Sequence, residues 1–113
     1  MRDIFSYTNF RNYLKDYYKA QKRVNPEFSH RWFVRKLGLT TSNYVLSIME
    51  GRRNLPQDIS LRFSAHMGLK KKETLYFEHM VAFLQSKSAF ARKEYWSRMA
   101  GLNPRLRKRK RPR

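Results

Sequence analysis

SHRWFVRKLGLTTSNYVLSIMEGRRNLP, residues 29 to 56, reads as two short helices that meet at a turn and run into a basic loop. Ser29 is the residue type that accepts hydrogen bonds from free N–H groups at a helix start, and Phe28 and Phe33 stand at the spacing of a hydrophobic staple around it. Gly38 ends the first helix, because a glycine tolerates the left-handed conformation that helix C-termini adopt. Thr40, Thr41 or Ser42 is expected to cap a second helix over about residues 42–51, closed by Gly51. In that helix Tyr44, Val45, Ile48 and Met49 share one face, leaving Ser42, Asn43, Leu46, Ser47 and Glu50 on the other. The outer face is small and polar, as a helix entering a nucleic-acid groove requires.

The chain holds 26 Lys and Arg against 8 Asp and Glu, a formal net charge of +18 over 113 residues. Such a field attracts polyanions, and nucleic acid is the expected partner ahead of anionic lipid or another acidic surface. The length suits one small domain with a single core. There is no cysteine, which excludes disulfides and thiolate metal sites. Every apolar run is broken by Lys or Arg well short of the roughly 18 residues a membrane span needs, and MRDIFSYTNF at the N-terminus lacks an apolar signal core. The expectation is a soluble, cytoplasmic, nucleoid-associated protein that does not engage membranes.

The rest of the chain is also helical in pattern, and the expected fold is an all-α bundle of five to six helices. Thr8 is placed as the cap of a first helix from Asn9 to Arg23, in which Phe10, Tyr13, Leu14 and Tyr17 recur at helical spacing; Asn25-Pro26 stops it. Pro56 opens a fourth element through Met67, with Ile59, Phe63 and Met67 inward and Gly68 at its end. A fifth helix from Lys71 to Lys87 carries Tyr76, Phe77, Met80, Val81 and Leu84. Ser88 caps a sixth with Phe90, Tyr95, Trp96 and Met99, which Gly101 and Asn103-Pro104 break off.

Beyond Pro104 the sequence turns to RLRKRKRPR, seven of nine residues basic with Leu106 the one apolar side chain. Like charges at each step oppose a helix and leave little to bury, so residues 104–113 are expected to form a disordered basic tail appended to a domain of residues 1–103. Without the tail's seven charges residues 1–104 still carry +11.

The order Phe33-Val34-Arg35-Lys36-Leu37-Gly38-Leu39, a Thr/Ser turn, an apolar-paced helix and Gly51-Arg52-Arg53-Asn54-Leu55-Pro56 resembles helix-turn-helix domains of the Cro/C1 repressor type. The turn here is one residue longer than in that family, and Leu55 is inserted before Pro56. Residues 3–99, from DIFSYTNFRNYL through EGRRNL to LYFEHMVAFLQSKS, are similar to the N-terminal half of a large bacterial family of paralogous proteins described as transcriptional regulators. The resemblance implies a DNA-binding role. The family's C-terminal domain has no counterpart in these residues, so its sensing role does not carry over.

On this reading Thr41, Ser42, Asn43 and Ser47 are candidates for base edges, Asn43 being able to pair with adenine through two hydrogen bonds. Helix capping or a solvated face is the competing role for each. His30, Arg31 and Arg35, near the start of the first motif helix, are candidates for phosphate, and so are Arg52 and Arg53 in the loop. Lys70, Lys71 and Lys72 join them because cations at the positive end of a helix dipole call for a nearby anion. So do the tail cations Arg105, Arg107, Lys108, Arg109, Lys110, Arg111 and Arg113.

Seven Tyr, eight Phe and two Trp would also suit base stacking on RNA, but most fall at core spacing; Tyr7, Tyr18 and Trp32 are the least settled. Three isolated histidines, scattered carboxylates and the lack of a glycine-rich phosphate loop or a metal-ligand spacing argue against an enzyme, a metal site or a cofactor. Double-stranded DNA is the expected partner. The alternatives are an RNA- or ribosome-associated protein, a non-specific architectural protein of the nucleoid, or a homodimer formed through the last two helices.

Overall fold

At Ser29 the side chain accepts the backbone N–H of Trp32 (3.1 Å), and Phe28 and Phe33 close around it with ring centroids 5.3 Å apart. The staple read from sequence is thus in place. The computed structural model describes residues 1–109 and Arg111, and all regular structure among them is helical. The elements are α1 (Phe10–Val24), α2 (His30–Lys36), α3 (Tyr44–Met49), α4 (Gln57–His66), α5 (Lys71–Gln85) and α6 (Ala89–Leu102). Short 3-10 turns at Ile4–Ser6 and Pro104–Lys108 flank them.

The first helix starts one residue later than expected. Asn9, not Thr8, is the cap: its side-chain oxygen reaches the N–H groups of both Arg11 (2.9 Å) and Asn12 (3.4 Å). At the end of α2 the N–H of Gly38 bonds the carbonyl of Arg35 and that of Leu39 the carbonyl of Val34, with Gly38 at φ +76°. This double closure needs a left-handed residue, which glycine adopts without a Cβ clash. The same closure recurs after α3, where Gly51 lies at φ +86° and Arg52 N–H bonds Ser47 C=O.

Phe10, Leu14, Phe33, Val45, Ile48, Phe63, Tyr76, Phe77, Met80 and Met99 are completely buried, with no accessible surface. Helix α5 is the hub, packed against α6, α4, α1 and the N-terminal turn. Edge-to-face contact joins Phe10 to Phe77 across α1 and α5, and Phe33 meets Phe63 across α2 and α4 at 5.6 Å. Among the aromatic residues left open in the sequence, Tyr7 is buried and Tyr18 and Trp32 pack against Phe28. Phe90 departs from expectation: it sits in the first turn of α6 and is 76% exposed.

The chain end differs most. Gly101 does not break α6, because buried Met99 and Ala100 carry the helix on to Leu102. Asn103, restricted by the proline that follows it, then leaves helical geometry. Its amide N–H donates to Phe5 C=O (2.6 Å) and its oxygen accepts Arg105 N–H (3.3 Å). Pro104–Lys108 folds as a 3-10 turn and Leu106 is 1% exposed, so the expected disordered tail does not begin at residue 104. One apolar side chain with a docking place outweighs the mutual repulsion of cations that all remain in solvent. Lys110 and Arg113 lie outside the described residues.

Burial pushes the imidazoles of His30, His66 and His79 down from their ordinary value, helped by Lys22, Lys36 and Arg98 respectively; for His30 the nearby Glu50 carboxylate opposes the shift. Folding therefore favours the neutral form. The stability this supplies is complete above the unfolded value of about 6.5 and is lost as pH falls below it. Melting temperature should drop between about pH 7.5 and pH 5, and less steeply in a His66→Gln variant. A pH-independent melt would contradict the burial of these rings.

Leu106→Ala should cost about 2–3 kcal/mol in chemical denaturation, as for other buried leucines. A chain cut after Pro104 should melt lower than one cut after Leu106; equal melting temperatures would show that the C-terminal turn is not part of the folded unit.

Candidate nucleic-acid interface

Helices α2 and α3 pack together, joined through residues 37–43, and α3 also rests on α1. Thr41 C=O accepts Tyr44 N–H (3.1 Å), a tight turn that absorbs Ser42 and Asn43 ahead of the helix. The second motif helix is consequently shorter than the expected 42–51. Asn43 is its N-cap residue and makes no side-chain capping bond, so capping by Thr40, Thr41 or Ser42 is not what starts it. Buried Val45, Ile48 and Met49 set its orientation. Leu46, expected outside, packs against the core, and Tyr44 is half-buried under Arg53, whose guanidinium lies 4.9 Å from the ring centre.

Thr41, Ser42 and Asn43 are exposed and Ser47 is half-buried. Asn43 and Ser47, four residues apart, share a face. At Ser42 lies a polar cleft of about 290 Å³, lined by Arg31 and Arg35 of α2 and by Thr40 and Ser42 of the turn, with Val34 and Leu39 as its apolar part; Thr41, Asn43 and Ser47 do not line it. The structure thus gathers Arg31, Arg35 and Ser42 from the expected set and adds Thr40. Arg31 and Arg35 stand one helical turn apart.

The loop after α3 is held by contacts that have no signature in the sequence. Arg11 of α1 donates to Ile48 C=O and, at 3.0 Å, to Arg53 C=O, while its other nitrogen lies 3.4 Å from the side-chain oxygen of Asn54. A fixed cation at the carbonyl end of α3 also complements the helix dipole. Farther along, Gln85 accepts from Leu55 N–H (2.6 Å) and donates to Leu55 C=O (3.1 Å), and Leu55 is buried. The extra Leu55 is therefore an anchor for the loop. Arg52 pairs with Glu50 and Arg53 stacks on Tyr44, and both stay exposed. Arg62 of α4 similarly donates to Leu37 C=O and Gly38 C=O, both at 3.4 Å, at the end of α2.

Other expected contacts lie elsewhere. His30 is stacked flat on Tyr18, with centroids 4.1 Å apart and planes within 7°, and its Nδ1 is buried without a partner among the described residues. Its ring packs and does not line the cleft. Lys70, Lys71 and Lys72 are exposed at the start of α5, where the Glu73 carboxylate accepts Lys70 N–H (2.8 Å). That carboxylate offsets the positive end of the dipole, and the three ammonium groups stay open to solvent. Arg105, Arg107, Lys108, Arg109 and Arg111 are exposed.

Arg11→Ala should loosen the loop by about 1–3 kcal/mol, the cost of leaving carbonyls without a charged donor. Faster amide hydrogen exchange at Gly51–Asn54, with α5 and α6 unchanged, is the expected reading; unaltered exchange in the loop would remove the clamp from the account.

No protein-family model, curated protein or solved structure matches this chain.

Proposed function

We propose that the protein binds double-stranded DNA, with α2 and α3 acting as a helix-turn-helix and the C-terminal cations adding contacts to phosphate. The observation that carries the reading is the cleft that brings Arg31 and Arg35 together with Thr40 and Ser42 immediately before α3. Two guanidinium groups on adjacent turns suit a DNA phosphate, which accepts paired N–H donors. The neighbouring Thr41, Ser42, Asn43 and Ser47 offer the hydrogen-bonding groups that base edges in the major groove can meet. The net charge of +18 and the resemblance to Cro/C1-type domains point the same way.

Single-strand or RNA binding by base stacking has less support. Among the described residues Phe90 is the one aromatic side chain open to solvent, and a stacking platform needs several exposed rings along a strand. The cations Arg105, Arg107, Lys108 and Arg109 supply affinity that does not depend on sequence. On this reading the protein is a transcriptional regulator; binding without an enriched sequence would make it an architectural DNA protein instead.

Selection from a random duplex pool at about 150 mM salt, where weak electrostatic binding is largely screened, separates these two roles. On an enriched site, Asn43→Ala should cost about 1–3 kcal/mol and change little on random DNA. Arg35→Ala should weaken all sequences alike and lower the slope of log K against log salt by about 0.9. Absence of duplex binding at low salt, or an Arg35→Ala protein with an unchanged salt slope, would overturn the proposal.

A further inference from the structure

Along the outer side of α1 two adjoining depressions of about 400 and 230 Å³ share Arg2, Tyr7, Asp16 and Lys19, and together form one groove beside the helix. Lys15 lines one part and Arg23 the other, so four cations meet a single carboxylate there. Arg2, Lys15, Lys19 and Arg23 are exposed, and among the described residues none of them is in a salt bridge. The carboxylate is engaged: Asp16 accepts the Tyr7 hydroxyl at 2.6 Å, and the Arg2 guanidinium lies 5.3 Å from the centre of the same ring. Tyr7 is itself buried, so it fixes both groups against the fold. The groove is separate from the cleft on α2, and no residue lines both. Arg11, Tyr18 and Lys22 follow one flank of α1, where they meet the loop after α3, His30 and Phe28. Asn12, Lys19 and Arg23, each one residue further on and so about 100° around the helix, line the groove.

We propose that this groove holds the phosphate backbone of a second DNA duplex, so that one molecule joins two DNA segments; the inference rests on α2 and α3 holding the first. Lys15, Lys19 and Arg23 recur every fourth residue, in a row that rises about 6 Å per step. Such a row outruns a single phosphate and suits the successive phosphates of a strand, in a duplex that carries about one charge per 1.7 Å of axis. Between the cations the lining offers the hydroxyls of Ser6 and Thr8 and the amides of Asn9 and Asn12. Groups of these kinds bond phosphate oxygens and position a duplex without reading its sequence. A concave basic surface follows a convex duplex, whereas a flat anionic bilayer would meet only its rim. The Arg2 side chain, already held on Tyr7, has little freedom left to lose when phosphate arrives.

The test fixes one duplex on beads at about 150 mM salt, loads it with the full chain and titrates in a second, labelled duplex of unrelated sequence. The unaltered chain should capture the labelled duplex. Lys15→Glu/Lys19→Glu should weaken that capture about tenfold or more while the first duplex is held as before. Lys87→Glu/Lys93→Glu makes the same change in net charge at exposed positions outside the groove and should leave capture unchanged. Lys15→Ala/Lys19→Ala carries the test if the charge reversal does not fold. Capture by the groove variant equal to that of the unaltered chain, equal loss in both charge-reversed proteins, or loss of the first duplex along with the second would each overturn the proposal. So would a first duplex held with no second captured; anionic phosphatidylserine vesicles that then bind the unaltered chain and not the groove variant would identify a membrane as the occupant. A chain that holds no first duplex overturns the α2–α3 reading and this one together, which sets that failure apart.

Discussion

A chain with 26 cations and 8 anions cannot hold itself together by ion pairing, and this imbalance shapes the rest of the structure. Among the described residues one salt bridge is present, Arg52 with Glu50. The cations instead meet backbone carbonyls and ring faces. Arg11 holds the end of α3, Arg62 the end of α2, and Lys22 donates to Phe28 C=O at 3.0 Å. Guanidinium groups of Arg11, Arg53 and Arg98 lie over Phe10, Tyr44 and Tyr95. Such contacts satisfy a cation without neutralising it. The surface keeps its charge, and the cohesion has to come from the apolar interior.

That interior is aromatic. Phe10, Phe33, Phe63, Tyr76 and Phe77 have no exposed surface, and large rings bury much area for little chain. A domain of this size buries about two thirds of the surface its unfolded chain exposes, less than a larger domain does, so each ring counts. The cation-rich C-terminal turn obeys the same rule: Leu106 and the Asn103 amide hold it, while its charged side chains remain in water. Charge repulsion along a sequence argues for disorder only where nothing on that stretch can dock.

The candidate interface is tied to the helical core by one segment. The loop from Gly51 to Leu55 is held at one end by Arg11 and at the other by the paired hydrogen bonds of Gln85. Its cations Arg52 and Arg53 face solvent, whereas Leu55 is buried. A loop fixed at both ends holds its charges in place with little conformational freedom left to lose.

Local chemistry was legible in the amino-acid sequence because it acts over a few residues. The Ser29 cap, the Phe28–Phe33 staple, the Gly38 and Gly51 closures, the Ser88 cap and the helical spacing of Tyr76, Phe77 and Met80 are all contacts within about one or two turns. Asn9 displaced Thr8 by one position because a planar amide reaches two N–H groups, a choice too fine for residue type to decide. Arg11 meets Ile48 from 37 residues away and Asn103 meets Phe5 from 98, and no periodicity announces either contact. Tertiary packing alone turned His30 onto Tyr18 and drew Leu106 inward. It also set Arg31 and Arg35 beside Thr40 and Ser42. Sequence by itself determined which segments coil and how charged the surface is, since both follow from neighbours along the chain. Which cations converge and which polar groups are left unpaired follows from the approach of distant helices, and only the folded structure decided it.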